Sequence, residues 1–279
     1  MKIGFIGTGN MGGAILKGYA KSDAAKGNVI LVHNRSTEHN EFMAKAIEER
    51  LSPASEKVIR VCNDNCKLAE ESDIIILGVK PRDISSVMKE ITPYIDNKII
   101  VSMAAGVSIA SLEEALGEKG KRAKIVRIMP NTPAMVGEAI TSMSRNGNVD
   151  DIDFEAVKSI FDVIGICEGV PEELIDCVIG VSGSSPAYTY MYIQALAEAA
   201  AANGMEPDQA RNFAAQAVLG AARMVLESSE SLEQLRINVC SPGGATIEAV
   251  KVLQKNGFMD NVKEGFQAAV DRSKEMTKE

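Results

Sequence analysis

An α/β fold, with an N-terminal doubly wound parallel sheet followed by an all-α C-terminal domain, is predicted by three observations. Short apolar runs alternate with helical patterns through the first two-thirds of the chain. Strand signals stop near Gly169, and long alanine-rich helical patterns take over. A glycine-rich turn joins the first strand to the first helix.

In chain order, continuous β-branched runs mark strands at Lys2–Ile6, Val29–His33, Val58–Val61, Asp73–Val79, Lys98–Ser102, Lys124–Met129 and Ala139–Ser144. Most lack polar alternation and are bounded by Gly, Pro, Asn or Asp, as in strands buried on both faces of a parallel sheet. Helical patterns lie between them at Met11–Lys21, Glu38–Glu49, Asp83–Ile91 and Ser111–Leu116. Farther on, Ser185–Ala202 closes on Asn203-Gly204, a C-cap pair. The stretch Pro207–Glu227 sets Ala210, Phe213, Ala214, Ala217, Val218, Ala221, Met224 and Val225 at helical spacing, a face suited to close helix–helix contact. Another helix is expected after the start signal Ser241-Pro242, and one more at the C-terminal end. The division between domains is expected between residues 168 and 169.

Composition narrows the function. The 279 residues are 46% hydrophobic and 24% charged, the balance of a soluble globular protein. A net charge of −8 and a pI of about 5.1 argue against nucleic acid as a partner. No apolar run approaches the ~20 residues a bilayer crossing needs, and Met1–Gly7 is too short and glycine-containing for a signal peptide. Five scattered cysteines fit a reducing compartment. A cytoplasmic location without membrane attachment is expected.

The turn Gly7-Thr8-Gly9-Asn10-Met11-Gly12 follows a strand and opens a helix, the arrangement of a Rossmann dinucleotide site. The first glycine permits the tight turn, the second lets backbone approach the pyrophosphate, and the third lets helix and strand pack closely. The helix N-terminus offers free N–H groups to the anion. The second strand ends His33-Asn34-Arg35-Ser36, without the acid that accepts from a ribose 2′-OH in NAD sites. A guanidinium and a hydroxyl suit a 2′-phosphate, so NADPH is the expected cofactor, with NADH use left open. The alternative reading of Arg35 is a solvated loop cation.

Other chemistries lack their residues. The two histidines, His33 and His39, have no metal spacing and read as a strand-end and a helix-surface residue. Cys62-x-x-x-Cys66 lacks a second ligand pair, so no metal site is expected. Ser182-Gly183-Ser184-Ser185 has no nucleophile-elbow context. The chemistry therefore belongs to the cofactor, with the protein supplying position.

A second glycine loop, Asn238-Val239-Cys240-Ser241-Pro242-Gly243-Gly244-Ala245-Thr246, precedes a helix. Two glycines weaken a first turn unless backbone must come close to something small and anionic. Helix-terminal N–H groups could hold a carboxylate there, with hydroxyls from Ser241 and Thr246. An ordinary glycine-rich loop entering a helix is the plainer alternative.

From Leu235 to Gln254 the sequence resembles the signature of the pyrroline-5-carboxylate reductase family, including S-P-G-G-x-T. The resemblance runs through nearly the whole chain. Gly7–Gly12 matches that family's cofactor motif, Gly78-Val79-Lys80-Pro81 its V-K-P turn, and Ser102-Met103-Ala104-Ala105-Gly106 its A-A-G loop. Arg127-Ile128-Met129-Pro130-Asn131-Thr132-Pro133 and Ser182–Tyr188 are similar to two further motifs. In two places the chain departs from the family: Ile237 stands where Asp is common, and Ser185 replaces the glycine of S-G-S-G-P. Both bear on pocket shape more than on reaction type.

The resemblance implies reduction of the cyclic imine 1-pyrroline-5-carboxylate to L-proline, the last step of proline biosynthesis. It places Val79, Lys80, Pro81, Ala104, Ala105 and Gly106 beside the dinucleotide and makes Asn65 and Asn238 further cofactor contacts. It assigns Val239, Ser241, Gly243, Gly244, Ala245 and Thr246 to the substrate, with the N–H groups of Gly244, Ala245 and Thr246 on its carboxylate. Thr246 becomes the catalytic residue, hydrogen-bonded to the imine nitrogen. Lys80 leaves a sheet strand and reads as structural or cofactor-facing rather than as a general acid. The helical half is expected to pair two subunits, and such homodimers to assemble further.

One rival is a 3-hydroxyacid dehydrogenase, which shares the front glycine pattern. It needs a lysine on a rear helix, and neither Ser185–Ala202 nor Pro207–Glu227 contains one. The other is a non-catalytic NADP(H) sensor, which has no use for the second glycine loop.

Overall fold

The computed structural model describes residues 1–48 and 58–276. Eight strands form one sheet: β1 (Lys2–Ile6), β2 (Val29–His33), β3 (Val58–Val61), β4 (Ile74–Leu77), β5 (Ile99–Ser102), β6 (Lys124–Met129), β7 (Ala139–Arg145) and β8 (Gly165–Gly169). Helices α1 (Asn10–Lys21), α2 (Thr37–Glu48), α3 (Asn65–Glu71), α4 (Pro81–Ile91), α5 (Ile109–Ala115), α6 (Asp151–Phe161) and the short α7 (Ile175–Val178) accompany them. Then come α8 (Ser185–Ala202), α9 (Pro207–Glu227), α10 (Leu232–Val239), α11 (Ala245–Lys255) and α12 (Phe258–Met276). Residue 49, the expected end of the second helix, lies outside the described residues.

The strand order is β3-β2-β1-β4-β5-β6-β7-β8. The crossover from β3 sets β4 beside β1, so the chain winds both ways from that pair, and the expected Rossmann-type doubly wound sheet is present. Both faces are buried. On one side Ile3, Phe5, Ile30, Val32, Ile74, Ile76 and Val101 pack with Ile15, Leu16 and Tyr19 of α1 and with α6. On the other, Leu31, Ile75, Leu77, Ile100 and Ile125 pack with Leu68, Ile84, Met88 and Leu112. Each such burial contributes about 1.5–3 kcal/mol, which explains why these strands read as unbroken aliphatic runs.

The structure differs from the sequence expectation at the far edge. β7 runs antiparallel to β6, with Met129 opposite Ser142, because only a short 3-10 turn at Thr132–Val136 separates them. α6, capped by Asp150 accepting from Asp153 N–H, leads to β8, which pairs parallel to β7. Neither α6 nor β8 was expected.

Residues 1–183 and 269–279 form one compact unit and residues 184–268 another. The expected border after residue 168 stands at the end of β8, inside the first unit. In the second unit α8 and α9 pack on one another across the turn at Gly204, whose φ is +97°. Many large apolar side chains of this unit remain exposed, among them Met191 (70%), Phe213 (63%) and Leu226 (76%). No helix among the described residues is long and apolar enough to cross a membrane.

Candidate functional site

The C-terminal ends of β1 and β4 meet in a cluster of glycines. Gly7 has φ +86° and its N–H donates to His33 O at 2.9 Å. A Cβ on Gly12 would stand 2.6 Å from Gly7 O, and one on Gly78 would press on the same oxygen. Backbone of β1, α1 and β4 therefore approaches too closely for any larger residue. At Gly9 a Cβ would meet nothing within 4 Å and would stand in the space above the turn.

Gly9 is also the N-cap of α1, without a side-chain cap, and Gly13 N–H already reaches Gly9 O at 2.7 Å. The N–H groups of Asn10, Met11 and Gly12 thus have no partner within the helix, and the positive end of the helix faces outward. These features fit a pyrophosphate.

The turn is clamped from β2. Asn34 Oδ1 accepts the N–H of the buried Thr8 at 2.6 Å, and Asn34 Nδ2 donates to Thr8 Oγ1 (2.8 Å) and Asn40 Oδ1 (2.9 Å). Asn40, buried on α2, returns a bond to Asn34 O at 3.0 Å. His39 Nε2 donates to Thr8 O at 2.8 Å, an interaction that its reading as a surface residue did not anticipate.

Beside this clamp lies a cavity of about 420 Å³ that brings together Gly7, Asn34, Arg35, Asn65, Val79 and Lys80. Arg35 Nη2 meets Asp83 Oδ2 at 3.1 Å. Asn65 Nδ2 donates to Glu90 Oε2 at 2.8 Å, while its Oδ1 is buried with no partner. That acceptor and the Arg35 guanidinium suit an adenosine ribose and its phosphate, so the residues present fit a phosphorylated dinucleotide.

A second cavity, about 770 Å³, runs along α1 and contains Thr8, Gly9 and Asn10 together with Lys17, Phe42 and Met135. Ser36 lines neither cavity; its hydroxyl accepts from His39 N–H at 3.2 Å. Pro81 opens α4, and Ala104–Gly106 lie just beyond β5 outside both cavities. Asn131 of the R-x-M-P-N-T-P stretch pins the chain by donating to Ser182 O and accepting from Ile140 N–H, each at 3.1 Å. Asp83, Ser86 and Glu90, all on α4, were not expected at the site. They are ordinary polar helix residues in sequence, and only the strand order brings them to the cavity.

In the second unit Val239 ends α10, and residues 240–244 form the loop to α11. The expected start at Ser241-Pro242 is displaced: Gly243 takes φ +72°, and Gly244 is the N-cap. Gly244 N–H already donates to Ser241 O at 3.0 Å, so it is not available to a carboxylate as expected. The amides of Ala245 and Thr246, in the first turn, have no intrahelical partner. Ser241, Gly243 and Thr246 are exposed. Asn238 is engaged within its own unit: its Oδ1 accepts from Gln234 and its Nδ2 donates to Glu230, each at 2.7 Å. Among the described residues no group of three or more His, Cys, Asp or Glu could hold a metal ion.

Comparison with known proteins matches the front and the rear of the chain to different families. Residues 172–276 match the family described as pyrroline-5-carboxylate reductase dimerisation, and residues 2–106 the one described as NADP oxidoreductase, coenzyme F420-dependent. The pyrroline-5-carboxylate reductase of Escherichia coli strain K12 is 42% identical, over 99% of this chain and 98% of the relative. That of Methanosarcina acetivorans is 39% identical over 100% and 97%. A crystal structure of the Plasmodium falciparum pyrroline carboxylate reductase with NADP bound matches with a TM-score of 0.82 at 32% identity, covering 99% of this chain and 98% of the other. The Coxiella burnetii pyrroline-5-carboxylate reductase matches with a TM-score of 0.86 at 33% identity and the same coverage. With identity at this level across the full length, and with the glycine turn and the S-P-G-G-x-T loop both in place, the chain belongs to the pyrroline-5-carboxylate reductase family.

Proposed function

We propose that this chain reduces 1-pyrroline-5-carboxylate to L-proline with NADPH. The observation that carries the reading is the full-length likeness to pyrroline-5-carboxylate reductases, which covers both glycine loops. When bound, the reduced nicotinamide supplies a hydride that adds to C5 of the cyclic imine. The chain's own residues bind, orient and hold a proton. The N–H groups of Asn10, Met11 and Gly12 take the pyrophosphate, with Gly7, Thr8 and Gly9 shaping the turn. Arg35, aided by Ser36, takes the 2′-phosphate, while Asn34 holds the turn in place. Asn65 accepts from the adenosine, and Val79–Pro81 and Ala104–Gly106 form the loops at the sheet end, with Asn238 as a further cofactor contact.

For the substrate, Ala245 and Thr246 N–H and the Ser241 hydroxyl hold the carboxylate, with Val239, Gly243 and Gly244 shaping the loop. Thr246 Oγ1 hydrogen-bonds the imine nitrogen. Protonation there makes C5 electrophilic, and a five-membered ring imine protonates near neutral pH, so no strong enzymic acid is required. Catalysis then rests mainly on positioning. The exposed apolar side chains of α8 and α9 support a homodimer formed through the helical region and a larger homo-oligomer built from it, and the five scattered cysteines suit work in the reducing cytoplasm.

The test is the purified protein with 1-pyrroline-5-carboxylate and NADPH, with NADH in parallel. Nicotinamide oxidation with proline as product is expected. Failure with the imine, together with NADP-dependent oxidation of a hydroxyacid, overturns the reading.

A further inference from the structure

The cavity that contains Arg35 is acidic as well as basic. Arg35 and Lys80 line it, but so do Asp83 and Glu90, both from α4. A carboxylate is an unexpected neighbour for a bound phosphate, because like charges a few ångströms apart disfavour one another.

Asp83 and Arg35 form an ion pair at 3.1 Å, yet the two partners are held differently. The Asp83 side chain is 23% exposed and that of Arg35 84%. Asp83 sits in the first turn of α4, where the helix dipole favours its charge. Its backbone is fixed by Asp83 N–H to Lys80 O at 2.9 Å and Ser86 Oγ–H to Asp83 O at 2.9 Å. Arg35 hangs from a strand-end loop, so Asp83 sets where the guanidinium rests. Glu90 is different. Its Oε2 takes Asn65 Nδ2 and leaves Asn65 Oδ1 as the amide's unpaired atom. An acceptor oxygen binds hydroxyl or amino donors, which phosphorylated and unphosphorylated dinucleotides share.

We propose that Asp83 is a specificity-determining residue that narrows the preference for NADPH over NADH, by pairing with Arg35 and repelling a 2′-phosphate brought to the same guanidinium. The inference rests on the NADPH reading above. A 2′-hydroxyl carries no charge and escapes the repulsion. Arg35 therefore favours the phosphorylated dinucleotide, and Asp83 offsets part of that advantage.

The test is direct titration of the full chain with NADP⁺ and with NAD⁺, at low and high salt, for the unmodified protein, Asp83→Asn, Asp83→Ser and Glu90→Gln. Both Asp83 variants should tighten NADP⁺ about three- to fivefold, the effect of an exposed ion pair, and leave NAD⁺ within about twofold. High salt should shrink the gain. Glu90→Gln should change both affinities alike. An unchanged NADP⁺/NAD⁺ ratio, equal tightening of both, or weaker NADP⁺ binding overturns the assignment; the last result would show that Asp83 aligns Arg35 for the phosphate. A chain that binds neither nucleotide overturns this inference and the functional reading together. One that binds NADP⁺ but does not reduce the imine overturns only the substrate and leaves the Asp83 comparison standing.

Discussion

Asn34 Oδ1 lies 2.6 Å from the backbone nitrogen of Thr8, so the end of β2 holds the glycine turn that leaves β1. Thr8 is buried, and its amide has no water to fall back on. Asn34→Ala should therefore cost about 1–3 kcal/mol of stability, the price of an unsatisfied buried donor. Because the turn serves any dinucleotide, NADPH and NADH should both bind roughly tenfold more weakly. Denaturant unfolding and nucleotide titration check this, and unchanged values in both would show that the clamp is idle.

Gly78→Ala acts on the same turn from β4. Its Cβ would press on Gly7 O, a backbone atom that cannot swing aside. Overpacking of this kind costs about 1–3 kcal/mol. The β1–β4 junction should open, with a lower melting temperature and loss of dinucleotide binding. Gly9→Ala is the contrast: it meets nothing within 4 Å, so stability should hold while binding falls. Equal melting losses for both variants would remove the distinction.

What sequence could and could not reveal follows from where each constraint lies. Gly7, Gly9 and Gly12 were legible because one βα turn carries all three: Gly7 takes φ +86°, Gly12 lies against Gly7 O, and Gly9 leaves the space above the turn open. β1 and β2 were legible because strands covered on both faces leave continuous aliphatic runs. β8 was not, since Gly165-Ile-Cys-Glu-Gly169 carries only Cys167 inward and exists as a strand through its pairing with β7. Asp83 and Glu90 reach the cofactor region through strand order rather than local sequence. In the second loop, the Ser241–Gly244 turn removed one expected donor, which no residue pattern signals.

Thr246→Ala should lower turnover with 1-pyrroline-5-carboxylate and leave NADPH affinity nearly unchanged. Loss of one hydrogen bond to the reacting nitrogen corresponds to about tenfold to a hundredfold in rate. Thr246→Ser retains the hydroxyl and should recover most of it. Steady-state kinetics beside NADPH titration separates the two effects, and a large loss of nucleotide binding would show that the residue is misassigned.

Arg127 on β6 is 4% exposed, and its Nη1 donates to Glu172 Oε1 at 2.9 Å. The same oxygen accepts Ile109 N–H at 2.8 Å, fixing the start of α5 just after Ala104–Gly106. Glu172→Ala would leave a buried guanidinium without its counter-charge, at a cost of about 3 kcal/mol. Glu172→Gln keeps an acceptor and should lose less. Urea unfolding of the pair measures the difference, and equal stability in all three proteins would refute the role.

Burial pushes the Cys167 thiol up to about 12 from its ordinary 9.0, with Asp162 adding to the shift. Its Sγ lies against Met143 Sδ at 3.7 Å. Between those two pH values the folded chain holds a proton that the unfolded chain has lost. The associated stability is therefore fully present below about pH 9 and drains away as pH rises toward 12. At about pH 8 the folded protein offers neither thiolate nor access at this position. Cys167 should stay unmodified by a maleimide until the chain is unfolded, while the exposed Cys177 supplies the internal comparison in a peptide map. Cys167 labelling in the native protein at the rate of a free thiol would mean that β8 opens readily from the sheet edge.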